Sequence, residues 1–196
     1  MDPQVRRAYW LERLTIAWNA TEAVIALVAG FVAGSVALLG FGLDSVIEVF
    51  AAAVVLWQLR GSVPKDREAR ALRLIGLSFF ALAAYVTVES SRDLLLRARP
   101  DQSIPGIALT AVSLTVMVFL ARAKHTTGHV LNNRALIADS KETLLCSQLS
   151  AVVLAGLALN AAFGWWWADP VAGLGVALLA VREGLEAWSA EHPEHH

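Results

Sequence analysis

The chain has 196 residues, 57% of them hydrophobic, with a mean hydropathy of +0.55 and a formal net charge of −1. The apolar excess excludes an ordinary soluble domain and points to an all-α, polytopic membrane protein. The near-neutral charge gives no electrostatic footing for nucleic-acid binding. The single cysteine, Cys146, excludes an intrachain disulfide and a paired-cysteine metal knuckle.

Residues 1–13 are a polar, basic lead-in with no cleavage box, so the apolar run behind them reads as a retained span rather than a signal peptide. That first span, 14–33, carries Asn19 and Glu22 and ends in the small-residue run AGFVAGS, which permits close helix contact. After a turn near Gly34 and Ser35, the second span, 36–59, carries Asp44 and Glu48. Residues 60–73, charged and containing Gly61 and Pro64, read as an aqueous loop leading into the third span, 74–94. The fourth span, 107–121, is the shortest. It is followed by a polar loop, 122–134, that holds His125 and His129. The fifth span, 135–163, is long enough to tilt. The stretch GWWWADP suits a headgroup-level turn, and the sixth span is 171–188. Six transmembrane helices place both termini on one side. Eleven Lys and Arg residues fall on that side against three on the other, which predicts cytoplasmic termini. No soluble domain is expected after the sixth span.

Two stretches break the apolar pattern with groups that chemistry needs. In the second span Asp44 and Glu48 are four residues apart and share one helix face. An ionised carboxylate near the bilayer centre costs about 2.5–3.5 kcal/mol on insertion scales, so two in one span call for protons, a cation or a wet cavity. In the fifth span Asp139, Glu142 and Cys146 recur at i, i+3 and i+7, again roughly one face. Together the two faces could supply three or four ligands to a divalent cation. Carboxylates favour a harder ion of the Mn²⁺ type, and the thiol favours Zn²⁺ or Fe²⁺. No resident prosthetic group is expected; the cation is cargo, and protons compete with it for the same carboxylates.

On these residues the chain resembles the transmembrane domain of the cation diffusion facilitators, which are six-helix metal-ion/proton antiporters. The likeness rests on Asn19 and Glu22, on GSVALLGFGLDSVIE, on ADSKETLLC, and on Asp169-Pro170 at the start of the sixth span. It covers almost the whole chain. The resemblance implies that the second-span ligand pair is Asp44 and Glu48. It also implies that Ala138-Asp139 precedes a fifth-span pair falling on Glu142 and Cys146. The zinc-transporting members usually carry His and Asp where this chain has Asp, Glu, Glu and Cys. Lys141 beside Glu142 is a candidate ion-pair partner, which leaves Asp139 as the competing ligand, and the sequence keeps both pairings open. The resemblance is strongest to short bacterial members consisting of the membrane domain alone, and it implies a homodimer in the bacterial inner membrane.

Two other function classes fit parts of the pattern. One is a membrane-embedded enzyme with Cys146 or Ser45 as nucleophile, weakened by the absence of a histidine base within the expected spans. The other is a helical subunit without transport activity of its own. Asn19 and Glu22 are candidates to line an approach path or to hydrogen-bond across helices. Ser45 and Lys141 are candidate neighbours of the ligands. His125 and His129, at i and i+4, could form half of a metal site.

Overall fold

A computed structural model describes residues 3–58 and 65–189. It contains six helices: α1 Pro3–Ala33, α2 Val36–Gln58, α3 Lys65–Leu96, α4 Ile104–Val130, α5 Arg134–Phe163 and α6 Ala168–Ser189. Residues 60–64 of the expected loop, and the histidine tail, lie outside the described residues. The most extensive packing joins α1 with α2, α4 with α5, and α3 with α6. The apolar core, with Phe41, Leu38, Val86, Leu149, Val153 and Val176 fully or almost fully buried, runs between these pairs.

Short-range chemistry sets the helix ends. Gly34 adopts a left-handed φ of 64°, which ends α1 at little cost because glycine has no Cβ. Ser35 then caps α2, its hydroxyl accepting the Leu38 N–H at 3.1 Å. Ser103 caps α4 by accepting from Gly106 N–H at 3.1 Å, with Pro105 in the first turn. Asn133 caps α5 through Leu136 N–H at 3.0 Å, and Gly164, with φ 65°, closes it.

Three turns gather at one end of the bundle. The Ser35 hydroxyl donates to Asp169 Oδ1 at 2.5 Å, and Ala37 N–H lies 3.4 Å from Asp169 Oδ2. Asp101 N–H donates to Ala33 O at 2.8 Å, and Asn160 Nδ2 donates to Pro100 O at 3.0 Å. Trp165 and Trp167 stack at 5.1 Å at this end. The start of α1 and the end of α6 therefore lie together at the opposite end.

Helices α1 to α5 each contain a stretch long and apolar enough to cross a membrane. The sixth differs from expectation. At 22 residues it is about 33 Å long, enough to cross. Yet every 18-residue stretch of it holds at least three charged residues, drawn from Asp169, Arg182, Glu183 and Glu186. The fourth helix also departs from the expected span. It runs to Val130, so Lys124, His125 and His129 lie on a helix and not in a loop. The reason is that Lys124 finds buried anionic partners on neighbouring helices, so its charge does not have to end the span.

Candidate metal centre

Asp44 and Glu48 lie eight and twelve residues into α2, about 12 and 18 Å from its start, which is mid-depth in a hydrocarbon layer of about 30 Å. Both are buried, at 3% and 7% exposure. Cys146 reaches the same place from α5 and is also buried. One oxygen of each acid and the cysteine Sγ lie within 4.8 Å of one another. Among the described residues no other group of three or more His, Cys, Asp or Glu side chains converges in this way. A cavity of about 10 Å³ adjoins the three and is also lined by Glu142 and Glu183. That is room for about one water-sized species.

Helix α1 orients this centre. Asn19 Nδ2 donates to Glu48 Oε2 at 2.8 Å, which fixes one carboxylate oxygen. The Asn19 Oδ1 is buried and receives no hydrogen bond from the described residues, leaving a neutral oxygen beside the acids. Glu22 accepts from Trp18 Nε1 at 2.9 Å and from the Ser45 hydroxyl at 2.7 Å. Asn19 and Glu22 thus bond side chains, and in both cases a bond crosses from α1 to α2. Ser45 is held between Glu22 and the Phe41 carbonyl, the latter at 3.0 Å.

A second polar cluster lies nearer the end where α1 begins. The Lys124 ammonium, fully buried, is hydrogen-bonded to Asp139 of α5 and lies 3.2 Å from the Thr143 hydroxyl. Its second anionic neighbour is Glu12 of α1, at 3.4 Å, whose two oxygens accept no hydrogen bond from the described residues. Asp139 therefore faces a lysine, while Glu142 borders the cavity beside Asp44 and Glu48. Lys141 points to the exposed surface, away from Glu142's cavity face, because adjacent residues on a helix do not share a face.

His125 and His129 are exposed on the last turns of α4, their rings edge to face at 4.5 Å, with His125 Nδ1 3.3 Å from Ser140 Oγ. They stand apart from the acid–thiol group. Asp169 serves the helix ends at the opposite side of the bundle, bonded to Ser35.

Three buried charged groups escaped the sequence reading: Glu12, Lys124 and Glu183. A signal for the first was present. The buried residues of α1 include Glu12, Thr15, Asn19 and Glu22, alternating three and four apart, so extending the face of Asn19 backward reaches Glu12. The buried face of α4 follows the same rule through Thr110, Ser113, Met117, Leu120 or Ala121, and Lys124.

Residues 73–189, covering more than half of the chain, match the cation efflux transmembrane domain. The chain belongs to the cation efflux family. An uncharacterized transporter, sll1263, of Synechocystis is 36% identical over 167 residues, which is 78% of this chain and 53% of the relative. Transmembrane protein 163 of Xenopus laevis is 25% identical over 185 residues, 92% of this chain and 66% of the relative. Magnetosome protein MamB of Magnetospira is 26% identical over 169 residues, 81% and 57% of the two chains. The chain spans about half to two thirds of the length of these relatives. Membership in the cation efflux family, together with its apolar helices, makes it a multi-pass integral membrane protein. The matched domain holds Asp139, Glu142, Cys146 and Glu183, while Asp44 and Glu48 precede it.

Proposed function

We propose that this cation efflux family protein carries a divalent metal cation out of the cytoplasm in exchange for protons, by alternating access at Asp44, Glu48 and Cys146. The observation that carries the reading is the convergence of two carboxylate oxygens and one thiol within 4.8 Å, buried at mid-depth on α2 and α5. Ionisable groups at that depth mark ion pathways more often than packing contacts. A mixed oxygen and sulfur set suits Zn²⁺, Fe²⁺ or Mn²⁺, with the thiolate favouring the first two.

The same groups supply the exchange. Each ligand must lose its proton to hold the ion, so proton and metal occupancy exclude one another. Asn19 holds Glu48 in place, and Glu22 with Ser45 stiffens the contact of α1 and α2 behind it. Asp139 is assigned to the Lys124 pair and Glu142 to the cavity, which favours Glu142 over Asp139 as the α5 carboxylate. The excess of Lys and Arg at the end where α1 begins survives the removal of buried Lys124 from the count, and it supports cytoplasmic termini in a bacterial-type inner membrane. A homodimer is the arrangement we assign on the family likeness.

Proteoliposomes containing the full chain, loaded with a metal-sensitive dye, test this. Zn²⁺, Fe²⁺ or Mn²⁺ flux should rise with an opposing pH gradient and disappear in Asp44→Asn. Flux absent for every ion, with and without the gradient, would leave the helical-subunit reading in its place.

A further inference from the structure

The cavity at the centre has a wall that the three-residue set does not use. Glu183 of α6 borders it, together with Asp44, Glu48, Glu142 and Cys146. Its exposure is only 6%. Among the described residues it has no hydrogen-bond or ion-pair partner. The adjacent cation, Arg182, is turned outward and paired with Glu186 at 3.0 Å, both of them exposed. A largely buried carboxyl group that faces a cavity lined by other acids is stabilised by a cation or a proton there.

Packing explains why the group points inward. Helices α3 and α6 cross at Gly76 and Gly184. A Cβ on Gly76 would lie 3.3 Å from the Gly184 carbonyl oxygen, and one on Gly184 would come within 2.9 Å of the Phe80 ring. The close approach fixes the rotation of α6 at Gly184, and the preceding residue is thereby held against the cavity. Glu183 sits fifteen residues into α6, about 22 Å along it, close to the depth of Glu48.

We infer that Glu183 is a further oxygen ligand for the transported cation, so that the centre draws on α2, α5 and α6, and that it tunes ion selectivity. This rests on the metal-site reading above. With Glu142 and Glu183 beside Asp44 and Glu48, the set is rich in oxygen with one sulfur. Oxygen donors favour hard ions such as Mn²⁺, and thiolate favours soft ones such as Cd²⁺. Removing one oxygen donor raises the weight of the sulfur.

The test is calorimetric titration of the purified full chain in detergent with Mn²⁺ and with Cd²⁺, alongside absorption spectra of the Co²⁺ form. Wild type, Glu183→Gln, Cys146→Ser and Asp44→Asn are compared, with melting curves in the absence of metal. Glu183→Gln should weaken Mn²⁺ binding by at least the roughly 10–100-fold that loss of a ligand-orienting group costs, weaken Cd²⁺ binding distinctly less, and keep the thiolate-to-cobalt charge-transfer band. Equal affinities in Glu183→Gln and wild type, or an equal loss for both ions, would overturn the role of Glu183 while leaving the three-residue centre intact. A wild type whose metal binding is indifferent to both Cys146→Ser and Asp44→Asn would instead overturn the centre itself. If the glutamine variant does not fold, Glu183→Asp, which keeps the charge but withdraws it by one methylene, carries the same comparison of the two ions.

Discussion

Lys124 of α4 and Asp139 of α5 are ion-paired inside the bundle, with Glu12 of α1 as the second anion 3.4 Å from the same ammonium. One lysine thus ties three helices at the end where α1 begins. It also explains why an acid that sequence periodicity places on the ligand face stands outside the acid–thiol group.

Substituting Lys124 by Met should leave Asp139 and Glu12 buried without a counter-charge. Breaking a buried pair from one side costs about 3–5 kcal/mol, more than the pair's net contribution, because the remaining charge stays desolvated. Unfolding in detergent should show a loss of that size. Neutralising both acids as well, in Lys124→Met/Asp139→Asn/Glu12→Gln, should recover most of it. A single variant as stable as wild type would show that the triad carries no such strain.

Asn19 orients Glu48 through a single 2.8 Å hydrogen bond. Asn19→Ala removes that bond without touching Asp44 or Cys146. Loss of a group that orients a ligand costs about 10–100-fold in metal affinity. Calorimetry with the purified chain reads the change. An unaltered affinity would mean that Glu48 needs no orientation from α1.

Acid should weaken metal binding. The carboxylates and the thiol of the centre hold a cation only after losing their protons, so protons are released on binding and affinity falls as pH falls. A net release of one proton corresponds to a change of about tenfold in apparent affinity per pH unit. Titrations in two buffers of different ionisation enthalpy count the protons directly. A count of zero between pH 6 and 8 would remove the proton-exchange mechanism while allowing metal binding to stand.

Ser35 and Asp169 should behave as structural residues. Ser35→Ala deletes both the cap on Leu38 N–H and the 2.5 Å bond to Asp169. A lost helix cap costs about 0.5–2 kcal/mol, and the loss of the hydroxyl partner of Asp169, which keeps only backbone N–H contacts such as Ala37, adds to it. Melting temperature should fall while metal affinity, measured below the transition, stays at the wild-type value. A fall in affinity would tie the far end of the bundle to the centre.

The helix order and most of the bundle were legible in the residues. The turn at Gly34 and Ser35 stands where expected, because a left-handed glycine followed by a serine cap is a local signal. The pairing of Asp44 with Glu48 on one face follows from the helical period alone. The end of α4 was not legible. Lys124, His125 and His129 look like a loop to any reading that counts polar residues, and the helix continues because Lys124 is neutralised by residues twelve positions into the chain and fifteen positions beyond it.

What the sequence by itself determined is therefore the membrane class, the succession of helices and the candidate ligands on α2 and α5, since these rest on apolar run length and on a period of 3.6. Tertiary structure alone decided which charges are buried. Glu12, Lys124 and Glu183 each sit toward the end of an apolar run beside other charged or polar residues, a pattern indistinguishable from a hydrated helix end. Arg182 and Glu186 are indeed exposed there, while Glu183 between them is enclosed. The difference is the rotation of each helix against its neighbours, fixed for α6 by the close crossing at Gly76 and Gly184. No local pattern encodes that rotation, because it is set by the shapes of both surfaces at once.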